Sequence, residues 1–365
     1  MSEPKKNICF VNTTKSWGGG EKWHFDAALN LAQNGNKVFF IGQIGGVLQS
    51  RLSEHKINTE LYDVSNLSFL NPLKIIKLRT YFKKNNIQIV VLNLPSDLKL
   101  AGIAAKLAGV KKIIYRRGSA IPIKNRFLNR VLLKNVTTHI LANSEKTKQT
   151  ILSIKENFLN PDKITVIYNG IDLKNFEIRK SGETDFESRD IIIGNVGRMV
   201  YQKGQEYLIE LGRILSEKKI PFKIIIAGDG SLKNRLEREV SKLGLEDKIL
   251  FPGFCKDVPS FMGSIDIFVL SSRWEGFGYV ITEAMACRKP VIAFNLSSNP
   301  ELVEDGKTGF LITPFNIILM ADKIIELYKN KSEIERLGNN GRKKVESQFD
   351  SRIIMNEIGK YLLGN

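Results

Sequence analysis

The sequence predicts an α/β protein built of two doubly wound units, and three observations carry that reading. Short apolar runs alternate with helical stretches along nearly all of the 365 residues. The runs are continuous rather than interleaved with polar residues, as parallel strands covered on both faces require. The alternation breaks once, in the polar, charge-mixed stretch from Lys174 to Arg189, and then starts again. A chain of this length exceeds one ordinary hydrophobic core, so the break reads as a domain junction.

Taken in order, Lys6–Asn12 (KNICFVN) reads as the first strand. Glu21–Asn34 reads as a helix with Phe25, Ala28, Leu29 and Ala32 on one face. Strands are then expected at Lys37–Gly42, Thr59–Val64, Ile87–Asn93, Lys111–Arg117, Thr138–Ser144 and Lys163–Tyr168. Helices at 46–56, 71–85, 97–108, 124–134 and 145–156 separate them. Beyond the break, strands are expected at Asp190–Val196, Phe222–Ala227, Lys248–Phe254, Asp266–Ser272 and Pro290–Asn295, with helices at 204–219 and 231–243. Helices at 316–330, 332–349 and 351–364 form a helical tail. The expected division is an N-terminal unit over 1–173, a junction over 174–189 and a second unit over 190–347. A C-terminal helix over 348–365 is expected to pack back on the first unit.

With 42% apolar and 25% charged residues the composition is that of a soluble globular protein. No run approaches the ~20 apolar residues of a membrane span, and Met1 to Lys6 lacks the apolar core of a signal peptide. Cys9, Cys255 and Cys287 are widely spaced and lie in or beside apolar segments, which points to free thiols in a reducing cytoplasm rather than disulfides or a zinc site. The net charge of +17 is lopsided: residues 1–170 hold 26 Lys and Arg against 10 Asp and Glu, whereas the remainder holds 29 against 28. An anionic partner is expected for the first half: a lipid surface, a phosphorylated acceptor or nucleic acid. In residues 124–136, Arg126, Arg130 and Lys134 fall four apart and read as a stripe on one helical face. Residues 71–85 add five more cations among Leu73, Ile76, Leu78 and Phe82. Both segments suit an anionic bilayer interface. No nucleic-acid-binding motif is recognised, so that rival class is set lower.

Three stretches carry chemistry. In Ser271–Ala286 (SSRWEGFGYVITEAMA) an apolar strand turns through a Gly-X-Gly loop into a helix, and a helix start reached in this way is an anion site. Glu275 and Glu283 frame the turn as acceptors for sugar hydroxyls, so the segment suits a nucleotide-sugar. Arg198 and Lys203 follow the first strand of the second unit, where a guanidinium and an ammonium can neutralise a leaving diphosphate. Gly18, Gly19 and Gly20 stand between the first strand and first helix and let backbone approach a ligand. They do not form the dinucleotide fingerprint, which weakens a dehydrogenase reading. His24 lies four residues past this triplet and is a candidate to face the active site; His139 is expected to be packed and His55 solvated. No Asp-X-Asp occurs, so cations and a helix start, not a metal, are expected to hold the diphosphate.

Together, Val196-Gly197-Arg198, Lys203-Gly204, Ala227-Gly228-Asp229-Gly230, Glu275-Gly276-Phe277-Gly278, Glu283-Ala284-Met285-Ala286 and Pro290-Val291-Ile292-Ala293 resemble the retaining family-4 glycosyltransferases. The likeness extends to Tyr168–Asp172 and Asp305–Leu311. It implies the GT-B fold, two facing Rossmann-like domains with an interdomain cleft and C-terminal helices. It further implies that Arg198 and Lys203 hold the donor diphosphate. Glu275 with the backbone of Gly276, Phe277 and Gly278 would hold the transferred sugar, Glu283 the ribose diol, and Gly253–Asp257 would touch the base. Gly18, Gly19 and Gly20 would close over the diphosphate from the other domain. Three departures stand out: Arg116-Arg117-Gly118 where the family often has His-Gly, Ser297-Ser298 where it commonly has Gly-Gly before Pro-Glu, and Arg288 in place of a usual glycine. Arg117 can bind a phosphate or carboxylate at the acceptor side but cannot serve as a base at neutral pH.

The expectation is therefore a retaining, metal-independent transferase of the hexosyl type with no cofactor. It would move a sugar from a nucleotide-diphosphate donor to a lipid-linked or polysaccharide acceptor of lipopolysaccharide, capsule or glycolipid synthesis. It is placed in the cytoplasm, at the inner face of the membrane. The alternatives are a nucleotide-sugar epimerase of the same architecture and a basic nucleic-acid-binding protein.

Overall fold

The computed structural model describes residues 5–156, 158–176 and 190–364, so residues 177–189 of the expected junction lie outside the described residues. The chain divides into two units, Met1–Asn169 with Ile353–Asn365, and Gly170–Arg352.

The first unit is a parallel sheet of β1 (Asn7–Asn12), β2 (Lys37–Gln43), β3 (Asn58–Tyr62), β4 (Ile89–Leu92), β5 (Lys112–Arg117), β6 (His139–Ala142) and β7 (Ile164–Val166), in spatial order 3-2-1-4-5-6-7. Its strands bury both faces, which is why they read as unbroken apolar runs. Cys9, Val11, Phe39, Val90 and Ile113 face a core built with Leu78, Phe82 and Ala104. Their chain neighbours Ile8, Phe10, Phe40, Val91 and Ile114 face a second core built with Trp23, Ala28 and Leu31. That second core also takes Ile354, Met355, Ile358 and Leu362 of the last helix, Ser351–Leu363. Each such aliphatic or aromatic burial contributes about 1.5–3 kcal/mol.

The second unit is a parallel sheet of β8 (Ile191–Val196), β9 (Phe222–Ala227), β10 (Ile249–Gly253), β11 (Ile267–Leu270), β12 (Val291–Phe294) and β13 (Gly309–Ile312), in order 10-9-8-11-12-13. The fold class expected from the sequence is the one found. Strand β13 escaped the sequence reading because its four residues follow a turn-rich stretch too short to show a period. Among the described residues no helix is long and apolar enough to cross a membrane.

Two helices of the first unit depart from regular α geometry. Pro95–Ala108 passes through a π-helical stretch at Leu98–Gly102. Phe127–Val131 runs on into another at Leu132–Val136. A Cβ on Gly102 would crowd Leu98, Leu92 and Val136 at 3.1–3.3 Å, so a glycine there lets the two irregular stretches pack closely.

Candidate active site

In the second unit the strand order reverses between β8 and β11, and open α/β sheets take ligands beyond the carboxyl ends of the strands at such a point. Chain leaving β8 carries Arg198 and Lys203; chain leaving β11 carries Glu275 and runs into the helix Tyr279–Ala286. The structure brings Lys203 and Glu275 together, with Nζ 2.6 Å from Oε1. The Ser272 hydroxyl donates to the same carboxylate oxygen at 2.7 Å. The two loops are laced to each other. The Gln202 amide donates to the Trp274 carbonyl at 3.0 Å and the Arg273 N–H to the Gln202 carbonyl at 2.8 Å. The Arg273 guanidinium lies 4.0 Å over the Tyr201 ring and 4.8 Å over Tyr207, and pairs with Glu206 at 2.8 Å.

Around this pair the other candidates take different stations. Arg198 is exposed and its side chain makes no ion pair among the described residues. Gly278 caps the helix Tyr279–Ala286 at φ +79°, a left-handed conformation that glycine adopts without steric cost. Phe277 is buried, its ring against Tyr279 and Phe349, so only its backbone is left to meet a ligand. Glu283 stands in the second turn of that helix, half-buried. The helix Val258–Gly263, which begins where the 253–257 segment ends, packs against this helix. The contacts of Ser272 and Arg273 in this cluster were not anticipated, because a serine and an arginine in a loop carry no spacing signal.

In the first unit the reversal falls between β1 and β4. Gly18, Gly19 and Gly20 stand at the start of the helix Gly19–Gln33. Asn12 and Asn93 both donate to Glu21 Oε1, at 3.4 and 3.3 Å, under that start. Thr13 donates to the buried Asp97 carboxylate, which also accepts from the Leu94 N–H at 2.8 Å. Asn12, Asn93 and Asp97 were not anticipated either.

Two expectations are corrected. His24 does not face a ligand: it is fully buried, edge-on to Phe10 and Trp23, with Nδ1 3.0 Å from the Gly20 carbonyl. The buried stripe of its helix is Glu21, Trp23, His24, Ala27, Ala28 and Leu31, about one residue round from the stripe Phe25, Ala28, Leu29 and Ala32 that hydrophobicity selects. Two polar residues on the inward face, both hydrogen-bonded within the fold, misled the apolar count. The second correction concerns Arg126, Arg130 and Lys134. Arg126 is the extended residue before the helix, and the turn changes to π at Leu132. The i, i+4 register is therefore lost, and Arg126 lines one pocket while Arg130 and Lys134 line another. Arg117 sits at the end of β5, donating to the Ile121 carbonyl at 2.9 Å and hydrogen-bonded to Tyr115. Its neighbour Arg116 is the buried one and donates to Asn169 at 3.1 Å. His139 is half-buried in β6 near Tyr361, and His55 is exposed.

Burial moves two groups of the first unit in opposite senses. His24 is lowered from 6.5 to about 3, chiefly by burial and then by the Arg116 charge. The stability it contributes is present above pH ~6.5 and lost as pH falls toward 3. Asp97 is raised from 3.8 to about 7 by burial, against the hydrogen bonds from Thr13 and Leu94. Its contribution is present below pH ~3.8 and lost as pH rises through 7. Between pH 4 and 6.5 the two slopes oppose each other. Asp97→Asn is therefore expected to lose stability on acidification through that window by up to about 1.4 kcal/mol per pH unit relative to the parent. Urea unfolding at several pH values measures this, and parallel profiles for the two proteins would refute it.

Residues 17–175 match the family described as Glycosyltransferase Family 4, and residues 177–344 match Glycosyl transferases group 1. The chain belongs to the family-4 glycosyltransferases. It is 32% identical over 230 residues to the capsular polysaccharide biosynthesis glycosyltransferase CapM of Staphylococcus aureus, spanning 60% of each chain. It is 29% identical over 303 residues to the UDP-Gal:alpha-D-GlcNAc-diphosphoundecaprenol alpha-1,3-galactosyltransferase of Escherichia coli, spanning 78% of each. The Anabaena protein Alr3699/HepE, solved with UDP and glucose, shares the fold with a TM-score of 0.84 at 24% identity, over 98% of this chain and 99% of that one.

For this glycosyltransferase the glycine departures have a structural meaning. Arg288 and Ser297 both hold left-handed backbone, at φ +54° and +55°, which costs an L-residue about 1–2 kcal/mol. The Arg288 side chain makes no hydrogen bond or ion pair among the described residues to offset that cost, and Arg288→Gly is expected to stabilise the protein by ~1 kcal/mol. Ser297 differs: its hydroxyl accepts from the Glu275 N–H at 3.1 Å and donates to the Glu275 carbonyl at 2.7 Å. It clamps the backbone of the residue that meets Lys203. Ser297→Gly relieves the same strain but gives up both bonds, so it is expected to gain less stability and lower transfer about tenfold. A rate equal to the parent's would dismiss the clamp.

Proposed function

We propose that this chain transfers a hexose, with retention, from a nucleotide-diphosphate sugar to a hydroxyl of a lipid-diphosphate-linked or capsular glycan, using no metal. The observation that carries the reading is the Lys203–Glu275 pair at the reversal point of the second sheet, with Arg198 and the Gly278 helix start at the same strand ends. As the sugar–phosphate bond lengthens, negative charge builds on the leaving diphosphate. The Lys203 ammonium, the Arg198 guanidinium and the first N–H groups of the helix Tyr279–Ala286 stabilise that charge more than they stabilise the intact donor. Glu275 orients the sugar through its hydroxyls and Glu283 takes the ribose diol. The acceptor hydroxyl attacks from the face that the diphosphate leaves.

The acceptor class follows the E. coli relative, whose name gives a diphosphoundecaprenol-linked substrate, and CapM, whose name gives capsular polysaccharide. A peripheral place on an anionic membrane fits the first unit. Leu67, Leu70, Leu73 and Ile76 are exposed there, and Lys77, Lys83 and Lys84 of the helix Pro72–Lys84 are exposed beside them.

The test is a thermal-shift screen against UDP-, GDP- and ADP-sugars, followed by product analysis with a lipid-diphosphate glycan. A donor at about 100 times its Kd adds ~2.7 kcal/mol, a rise of several degrees. No shift with any donor, or isomerised donor without transferred sugar, would overturn the proposal.

A further inference from the structure

The first unit holds a cavity of about 280 Å³ at the carboxyl end of β5 that the donor chemistry does not use. Its walls are the two π-helical stretches, through Leu98 and Lys99 on one side and Leu132 and Leu133 on the other. Such stretches are frequent at functional sites. The lining is two-sided in chemistry. Pro95, Leu98, Pro122, Ile123, Leu128 and Leu132 supply apolar surface, and Lys99, Arg117, Lys124 and Arg126 supply four positive charges. No carboxylate lines it, and none of the four cations forms an ion pair among the described residues. Four cations around one cavity with no carboxylate lining it favour an anionic ligand. Beside the cavity the apolar surface continues outward: Ile121 is 46% and Phe127 75% exposed. Lys99 lies 5.7 Å over the Phe69 ring, next to the exposed Leu70.

We infer that this cavity seats the start of a polyprenyl diphosphate, with the diphosphate on Arg117, Lys124 and Arg126 and the first prenyl carbons against Leu98, Leu128 and Leu132. A sugar ring alone would leave its hydroxyls against an apolar wall, and a free phosphate would leave that wall uncovered; only a ligand that is charged at one end and greasy at the other satisfies both. The cavity lies at the lower limit of small-ligand sites, about 300 Å³, so it holds the head and first part of the chain, and the remainder follows the exposed apolar surface. The inference rests on the acceptor class proposed above and assigns it a place.

Calorimetric titration of the full chain with farnesyl diphosphate, farnesol and inorganic diphosphate tests it, with UDP present at saturation so that the diphosphate site of the second unit is occupied. Farnesyl diphosphate is expected to bind at least tenfold more tightly than either fragment. The double substitution Lys124→Glu with Arg126→Glu is expected to weaken it at least tenfold. UDP affinity, measured separately, should stay unchanged within twofold. Equal binding of farnesyl and inorganic diphosphate would reduce the site to a bare anion site and overturn the inference, as would an unaltered affinity in the double variant. A parent chain that fails to bind UDP strikes the donor reading instead; the farnesyl diphosphate titration of that chain without UDP, and of its Lys203→Ala variant, still decides the cavity.

Discussion

Lys203→Ala is expected to lower sugar transfer about 10²–10³-fold, the range found when one preorganised group facing a developing charge is removed. Lys203 is placed for that role by two loops that depend on each other, since its ammonium is 2.6 Å from Glu275 and its carbonyl takes the Ser271 hydroxyl at 3.1 Å. The pair is also structural. The Lys203 and Glu275 side chains are 16% and 8% exposed, so removing one partner leaves a mostly buried charge uncompensated. Breaking a buried pair in this way costs about 3–5 kcal/mol, with the lower end apt here because some solvent reaches Lys203. The two roles separate in the double variant Lys203→Met with Glu275→Gln, which carries neither charge. Its melting temperature should recover most of what Lys203→Ala loses, while its transfer rate should not recover. Near-parental turnover in Lys203→Ala would remove Lys203 from the chemistry. Joint recovery of stability and rate in the double variant would make its role purely one of folding.

The largest stability effect is expected at Gly228. It follows β9 at φ +149°, and a Cβ built there runs into the Gly197 carbonyl oxygen, a backbone atom that cannot step aside as a flexible side chain could. The close approach has a purpose. The Gly228 N–H donates to the Gly253 carbonyl at 2.7 Å, and the Met199 N–H donates to the Asp229 carbonyl at 2.8 Å. The loop after β9 thus props the loop after β8 that carries Arg198 and Lys203. Gly228→Ala should cost about 4 kcal/mol or more, combining backbone strain with the loss of these bonds. Transfer should fall with it even in whatever fraction remains folded. A variant that melts within 2 °C of the parent, roughly the shift of less than 1 kcal/mol in a domain this size, would show that the loops can part without harm.

How far the site was legible before the structure depends on the residue. Glu275, Arg198 and Lys203 were found because each sits next to glycine in the loop after a strand, and Glu283 because it follows the same glycine turn into its helix, a local pattern. That Lys203 and Glu275 touch was not legible, because they are 72 residues apart and meet only when β8 and β11 lie side by side in the sheet. Ser297 stood out in the sequence only as a departure from glycine; that its hydroxyl clamps the Glu275 backbone, 22 residues away, was not legible. His24 was set on the wrong face because Glu21 and His24 take inward positions that an apolar count assigns outward. The basic stripe failed for a different reason: spacing by four assumes 3.6 residues per turn, but Arg126 precedes the helix in extended backbone and the turn changes to π at Leu132.

Sequence alone determined the α/β class, the two units, the continuous strands and the loops that bear charge, because periodicity and glycine placement are local properties of a chain. The tertiary structure alone decided which charges pair, which polar groups are sealed in the core, and where cations gather around an apolar cavity. Those outcomes are set by contacts between residues far apart in the chain, whose energies no local pattern contains.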